Sequence, residues 1–580
     1  MKDFLKTVLA VIIGIFVTTF ILFALLGSVA GALASVGKGT AVLPKSGVLT
    51  IDLSKVMLAE QSAESDPFSS IPGKEVSTIG IWDAVRAIDI AAEDPGVKYI
   101  YIKSDGSVSD LAALWELRQA LSAFRGSGKA IVSYMEAPTT GSYYISSVSD
   151  KVYMTAHSGA TTMVVGVGTQ LFFLKDLLDK LGVNVQLVRH GKYKSAGEMF
   201  SRSSISPENT EQNQHMVDMM WATLRSEIAL SRDLTEAQVD DAIDNLRLCT
   251  PADFLECGFV DELLTREGLQ DKLAALAVAD AYKDVKFIAF PDYVSAKILP
   301  SKAKNQIAVV YVDGQMMDGS GKQQVDGDRF ASVLQKVRAD STVKAVVLRV
   351  NSPGGAVLSA EKIRNEVDLT RAQKPVIASY GDYAASGGYW VSSSADHIFT
   401  TPVTLTGSIG VFGTVPEFSK TLKNVAHVSV TSITSNKHGD LYGFTRPFDA
   451  AEYAYMERSI EDIYTKFTAL VSEGRGLSVE EVDNLGQGRV WTGTDAVANH
   501  LADETGSLKD AILYAAQAAG EPDLAQWDVK GYPKPASALD DLMEMLGGKT
   551  EEDEVSALLG GLDLSKPQIL ARLPYEISFR

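Results

Sequence analysis

Apolar positions along the chain follow two rhythms that alternate. Compact runs at 97–102, 131–134, 307–312, 343–350 and 375–380, rich in Val, Ile, Tyr and Ala, read as buried strands. The stretches 111–124 and 357–369 instead carry the pattern of helices with one buried face. Strands that alternate with amphipathic helices predict an α/β fold on a largely parallel sheet. Ser206, Pro207 and Glu208 supply a cap, a pre-set first turn and an early acid, so a long helix should start there, and Asp449 should start its counterpart.

The chain opens on a third pattern. Residues 7–37 carry no charge. Within them 8–26, at about 1.5 Å per residue, is long enough to cross a hydrocarbon layer of about 30 Å as one helix. Small residues at 29–34 would also suit a cleaved signal peptide, but secretory apolar cores run about 7 to 15 residues. The longer run predicts an uncleaved transmembrane anchor over 1–40. Lys2 and Lys6, opposed only by Asp3, place the N-terminus in the cytoplasm and everything after residue 40 outside it.

Laid on itself at an offset of 246, the sequence reveals a duplication. Residues 97–102 fall on 343–348, 131–134 on 377–380, and 141–144 on 387–390. The offset then drifts to 245, where Lys192 meets Lys437, and to 243, where Leu234 meets Leu477. Two copies of one domain are expected, over 41–300 and 301–530, divided near Pro300 and followed by a tail over 531–580 with an acidic stretch at 551–554.

Composition narrows the function. A net charge of −19 repels phosphate backbones and counts against nucleic acid as a partner. Two cysteines, Cys249 and Cys257, exclude a disulfide scaffold and any four-cysteine metal site. They align with Trp491 and Asn499, so the repeated fold requires no thiol there; buried filler is the expected role, with a local disulfide as the alternative.

Three stretches carry candidate chemistry. After the strand ending at Val350, Asn351-Ser352-Pro353-Gly354-Gly355 forms a turn with bare backbone N–H groups, the raw material of an oxyanion hole. After the next strand, Ser386 sits among Ala384, Ala385, Gly387 and Gly388 at an expected helix start. Small neighbours there let a carbonyl approach, and the Gly387 N–H and the helix dipole can face developing negative charge. The seven histidines show no zinc spacing and no arrangement around this serine. The alternative base is a lysine whose pKa burial depresses, and Gly191-Lys192-Tyr193-Lys194-Ser195-Ala196 offers two.

Taken together, NSPGG (351–355), AASGGYW (384–390), TGSIG (406–410) and GKYKSA (191–196) resemble the long, duplicated form of the signal peptide peptidase A family, also called protease IV. The resemblance covers nearly everything after residue 45. It implies two tandem ββα spiral domains of the Clp-protease and crotonase kind. It makes Ser386 the nucleophile, Lys194 the general base and Ser408 the residue that orients the lysine. The oxyanion hole falls to Gly387 and to Gly354 or Gly355. No metal or cofactor is implied. Substrates would be remnant signal peptides and other extended apolar peptides, at the outer face of a bacterial inner membrane, with the lipid bilayer contacted through the N-terminal helix.

The duplication bears on these assignments. The partner of Ser386 is Thr140 and the partner of Lys194 is Gly439, while Asp105-Gly106-Ser107-Val108-Ser109 replaces the glycine turn. Each copy lacks what the other has. A dyad must therefore close between unlike copies, within one chain or between neighbours, and an oligomeric ring is expected, a tetramer by the resemblance. Two rivals remain at this stage: a crotonase-like acyl-CoA enzyme and a non-catalytic membrane scaffold.

Overall fold

The computed structural model describes residues 43–62, 76–318, 324–534 and 568–572. The expected anchor over 1–40 and most of the tail lie outside the described residues. Among the described residues, no helix is long and apolar enough to cross a membrane.

Two α/β units follow one another. In the first, six parallel strands run in the order Glu262–Leu264, Lys151–Thr155, Ile131–Met135, Val97–Lys103, Gly47–Asp52, Phe287–Ala289. In the second, Val376–Ala385, Val343–Ser352, Asn305–Asp313 and Trp527–Tyr532 repeat the inner part of that order, with His397–Thr400 and then Glu504–Thr505 beside Val376–Ala385. The inner strands are buried on both faces, as continuous runs such as Val-Lys-Ala-Val-Val-Leu-Arg-Val require. Helices Leu111–Arg125 and Val357–Arg371 return the chain between parallel strands, and Pro207–Arg232 and Ala450–Arg475 start on the caps Ser206 and Asp449.

The units share one core: Ile51, Ile102 and Leu114 pack in the same cluster as Val347, Ile377 and Ile512. Inside this seam Arg349 pairs with Glu60 and, at 2.7 Å, with Glu116, which also accepts the Leu508 N–H at 2.8 Å. Asp382 accepts the Ala112 N–H at 2.8 Å at the start of helix Leu111–Arg125.

A further sheet joins the halves. Its order is Val325–Asp326, Met316–Met317, Gly354–Ala356, Gln568–Arg572, Val411–Glu417, Asn184–His190. The last strand comes from the first half and pairs antiparallel with Val411–Glu417 over its whole length, from Val411 opposite His190 to Glu417 opposite Asn184.

The cysteines depart from expectation. Cys249 is exposed, Cys257 is half-buried, and both are free thiols. They bracket helix Pro251–Glu256, whose buried positions are taken by Pro251 and Phe254; Cys249 stays on the surface, while Cys257 packs partly against the core.

Candidate active site

Strand Val376–Ala385 delivers Ser386 directly onto a sharp turn with φ 54° and ψ −109°, a backbone region a non-glycine residue enters at a cost of order 1–3 kcal/mol. The surroundings hold it there. Ser386 N–H donates to the Gly407 carbonyl at 2.8 Å, and the Ser386 carbonyl accepts the Trp390 N–H at 2.8 Å. The helix that follows, Gly387–Ser392, has only six residues, so the Gly387 amide itself, rather than a helix dipole, is what the site can use.

Close packing explains the glycines. A Cβ at Gly388 would stand 2.5 Å from the Ser352 carbonyl oxygen, and one at Gly387 would stand 3.1 Å from Gly354 Cα and 3.2 Å from Gly355 N. The two glycine turns therefore pack against each other beside Ser386, where the Gly354 N–H donates to Ser352 Oγ at 3.2 Å. Gly355, at φ 153°, lies so close to Met316 that a Cβ would fall 1.9 Å from its carbonyl oxygen.

Lys194 reaches this place from the first half. Strand Asn184–His190, added to the second half's sheet, carries the loop 191–197 across the boundary. Lys194 Nζ lies 2.8 Å from Ser386 Oγ, 2.9 Å from Ser408 Oγ and 3.1 Å from the Ser408 carbonyl oxygen. All three partners are uncharged, and Lys194, Ser386 and Ser408 are each 0% exposed. Burial without a counter-charge pushes the Lys194 amine well below the usual lysine range. Lys192, the other candidate in the loop, is exposed and lies over the Tyr193 ring.

Lys194 Nζ and Ser386 Oγ thus meet within one chain. The incompleteness of each half does not by itself require a second protomer.

Several positioning residues escaped sequence reasoning. The loop Gly486-Gln487-Gly488-Arg489 forms the far wall of the lysine channel. Gln487 carbonyl accepts the Tyr193 N–H at 2.9 Å, Arg489 carbonyl accepts the Ser408 N–H at 2.7 Å, and a Cβ at Gly488 would stand 2.5 Å from Lys194 Cβ. Arg489 also stacks its guanidinium over Tyr193 and Trp491. On the other side Arg189 donates to the Lys194 carbonyl at 2.8 Å and pairs with the buried Glu198. Gln212 accepts the Val490 N–H at 2.8 Å. A signal for this loop did exist: at the offset that pairs Cys249 with Trp491, Gly488 aligns with Leu246, so the glycine belongs only to the copy that receives the lysine.

The corresponding place in the first half is closed. Thr140 Oγ1 accepts the Val165 N–H at 3.1 Å, and Asp105 ties up the Glu136 and Ala137 amides.

Residues 123–280 and 368–521 match the model of peptidase family S49. The chain is 34% identical over 504 residues to "Protease 4" of Haemophilus influenzae, covering 83% of this chain and 81% of that protein. It is 33% identical over 479 residues to "Protease 4" of Salmonella typhi, covering 81% and 76%. Over 466 residues it is 28% identical to "Serine protease SPPA, chloroplastic" of Arabidopsis thaliana, covering 79% and 68%.

Proposed function

The chain belongs to peptidase family S49 and is a serine peptidase, and from that premise we propose a membrane-anchored endopeptidase that cuts extended apolar peptides with Ser386 and Lys194. The observation that carries the dyad is the contact between a buried, uncharged-environment amine and the serine hydroxyl, 192 residues apart in sequence.

The chemistry follows from counting hydrogens. A neutral lysine has two N–H donors and one lone pair. Ser408 supplies two acceptors, its carbonyl and its hydroxyl oxygen, and these take the two N–H groups. The lone pair is left for the Ser386 O–H. Lys194 removes that proton as Ser386 Oγ attacks the peptide carbonyl, and the amides of Gly387 and of Gly354 or Gly355 hold the oxyanion. The proton passes to the leaving amine. Water then enters, loses its proton to Lys194 and frees the acyl chain as a carboxylate.

The domains 41–300 and 301–530 are taken as Clp-like and crotonase-like spirals. The anchor over 1–40 holds them at the outer face of a bacterial inner membrane, where remnant signal peptides are the fitting substrates. Membership in a peptidase family sets aside the acyl-CoA enzyme and the scaffold.

Assembly into a ring, taken as a tetramer, is supported by a vacant contact. By the repeat, Val411–Glu417 corresponds to 165–171 and Asn184–His190 to 429–435. Neither duplicate is a strand here, and both regions expose apolar side chains, among them Val165, Val430 and Ile433, the last 96% exposed. A neighbour that lent its 429–435 to 165–171 would repeat the internal contact head to tail until a ring closed.

Hydrolysis of an apolar peptide, compared between wild type, Ser386→Ala and Lys194→Ala, tests the catalytic reading. Undiminished cleavage in either variant defeats the dyad. For the ring, Ile433→Asp should yield monomers by light scattering where wild type does not.

A further inference from the structure

The loop that reaches Ser386 carries two lysines on either side of Tyr193, and the fold treats them in opposite ways. Lys194 is buried with its amine between Ser386 and Ser408, whereas Lys192 is exposed. The two side chains are chemically identical, so the choice between them is made by what holds the residue in the middle.

Tyr193 is itself buried, and residues of both halves hold it. The Arg489 guanidinium lies 4.8 Å from the centre of its ring and 4.5 Å from that of Trp491, so one cation ties the two rings together. At the far end of the ring the Tyr193 O–H donates to Glu211 at 3.1 Å. Arg489 donates to the same phenol oxygen at 3.3 Å and pairs with Glu211 at 3.2 Å. A planar guanidinium can stack on a ring and donate at its edge; a lysine ammonium in that place would keep the charge and lose the flat face. Arg489 also acts on the other wall of the channel, because its carbonyl accepts the N–H of Ser408, the residue whose hydroxyl and carbonyl hold the Lys194 amine.

Resting on the dyad reading above, we propose that Arg489 and Tyr193 are positioning residues that select Lys194 over Lys192 as the base. The stacked guanidinium pins the Tyr193 ring to the second half. With that ring fixed, the side chain after it enters the channel to Ser386 and the side chain before it is turned out to solvent. Both residues act through Lys194. Loosening the stack frees the loop, lets water reach the amine and removes the burial that holds it well below the usual lysine range.

The full-length protein tests this in two measurements: hydrolysis of an apolar peptide across pH, and reductive methylation of lysines with formaldehyde and a borohydride, read by peptide mass spectrometry. In wild type Lys192 should be methylated and Lys194 protected. Arg489→Ala should lower kcat by about 10- to 100-fold with KM nearly unchanged, move the rising limb of the pH profile toward the ordinary lysine range, and speed methylation of Lys194 by about tenfold or more. Arg489→Lys, which keeps a cation beside Glu211, should show the same three changes to a smaller extent and carries the test if Arg489→Ala does not fold. Tyr193→Phe keeps the stacked ring and should retain most of kcat. Glu116→Gln weakens the seam away from this loop and should leave the limb and the protection of Lys194 where wild type has them. A wild-type limb and a protected Lys194 in the Arg489 variants, even with stability lowered, would overturn the proposal alone, provided Lys194→Ala is inactive. Undiminished cleavage by Lys194→Ala would overturn the dyad reading, and the selection of its base with it.

Discussion

Thr140 and Ser386 align in two copies of one fold, each at the start of a short helix that follows a matching parallel strand, directly for Ser386 and after four residues for Thr140. Around Ser386 the backbone takes a left-handed φ, two glycine turns converge and a buried amine approaches. Around Thr140 the hydroxyl is spent on the Val165 amide, and Asp105 occupies the amides of the neighbouring loop. The strand order is the same, and Asn351 accepts the Tyr383 N–H at 3.1 Å much as Asp105 accepts its two amides; the difference lies in the turn at Ser386, the glycines packed beside it and the lysine that reaches it. On the proposed dyad, the duplicated fold divides its work, one half holding the nucleophile and the other lending the base.

The largest expected effect separates the copies outright. Ser386→Ala should lower kcat/KM by about 10⁴-fold or more, and adding Thr140→Ser to that variant should restore nothing, since no amine and no glycine turn face position 140. Recovery of cleavage by the double variant would erase the distinction. Next, Gly355→Ala, forced against the Met316 carbonyl, should cost about 10²- to 10³-fold in kcat through a displaced oxyanion amide. Ser408→Ala should cost about 10- to 100-fold in kcat by freeing the lysine head, with KM nearly unchanged.

The pH profile sharpens the comparison further. Lys194 must be neutral to act, and burial holds its pKa well below 10.5, so kcat/KM should rise with pH along a limb centred well below that value. A limb centred near 10.5 would contradict the buried base.

The seam gives the smallest effects. Glu116→Gln leaves Arg349 half paired and should lower stability by about 1–3 kcal/mol in denaturant titration. Asp382, half-buried in the seam and beside Asp110, has its carboxyl pushed up to about 8 by the loss of solvation. A raised acid keeps its proton in the folded state while the unfolded chain gives it up, so its contribution is present below pH 4 and is lost as pH rises toward 8. Asp382→Asn should therefore flatten the fall of Tm across that window.

Much of this was legible in the chain. Strand and helix rhythm, the caps at Ser206 and Asp449, and the complementary losses of serine and lysine all lie in local pattern or in self-alignment. The wall at Gly486–Arg489 and the tail strand were not legible, because each depends on a contact between segments far apart in the chain, and the clamp of Arg189 on the nearby Lys194 carbonyl depends on a loop shape no local pattern specifies. Gly488 is the instructive case: a lone glycine before a strand reads as an ordinary turn until Lys194 is seen to run against it. Cys249 failed for the opposite reason, since residue type suggested burial and it lies on the surface at the start of helix Pro251–Glu256.

Strand Asn184–His190 finds its partner only in residues made more than two hundred positions later. While the polypeptide is still being synthesised, Lys194 on the loop after that strand has no Ser386 to meet. On the proposed dyad, completion of the second half is then the event that arms the enzyme.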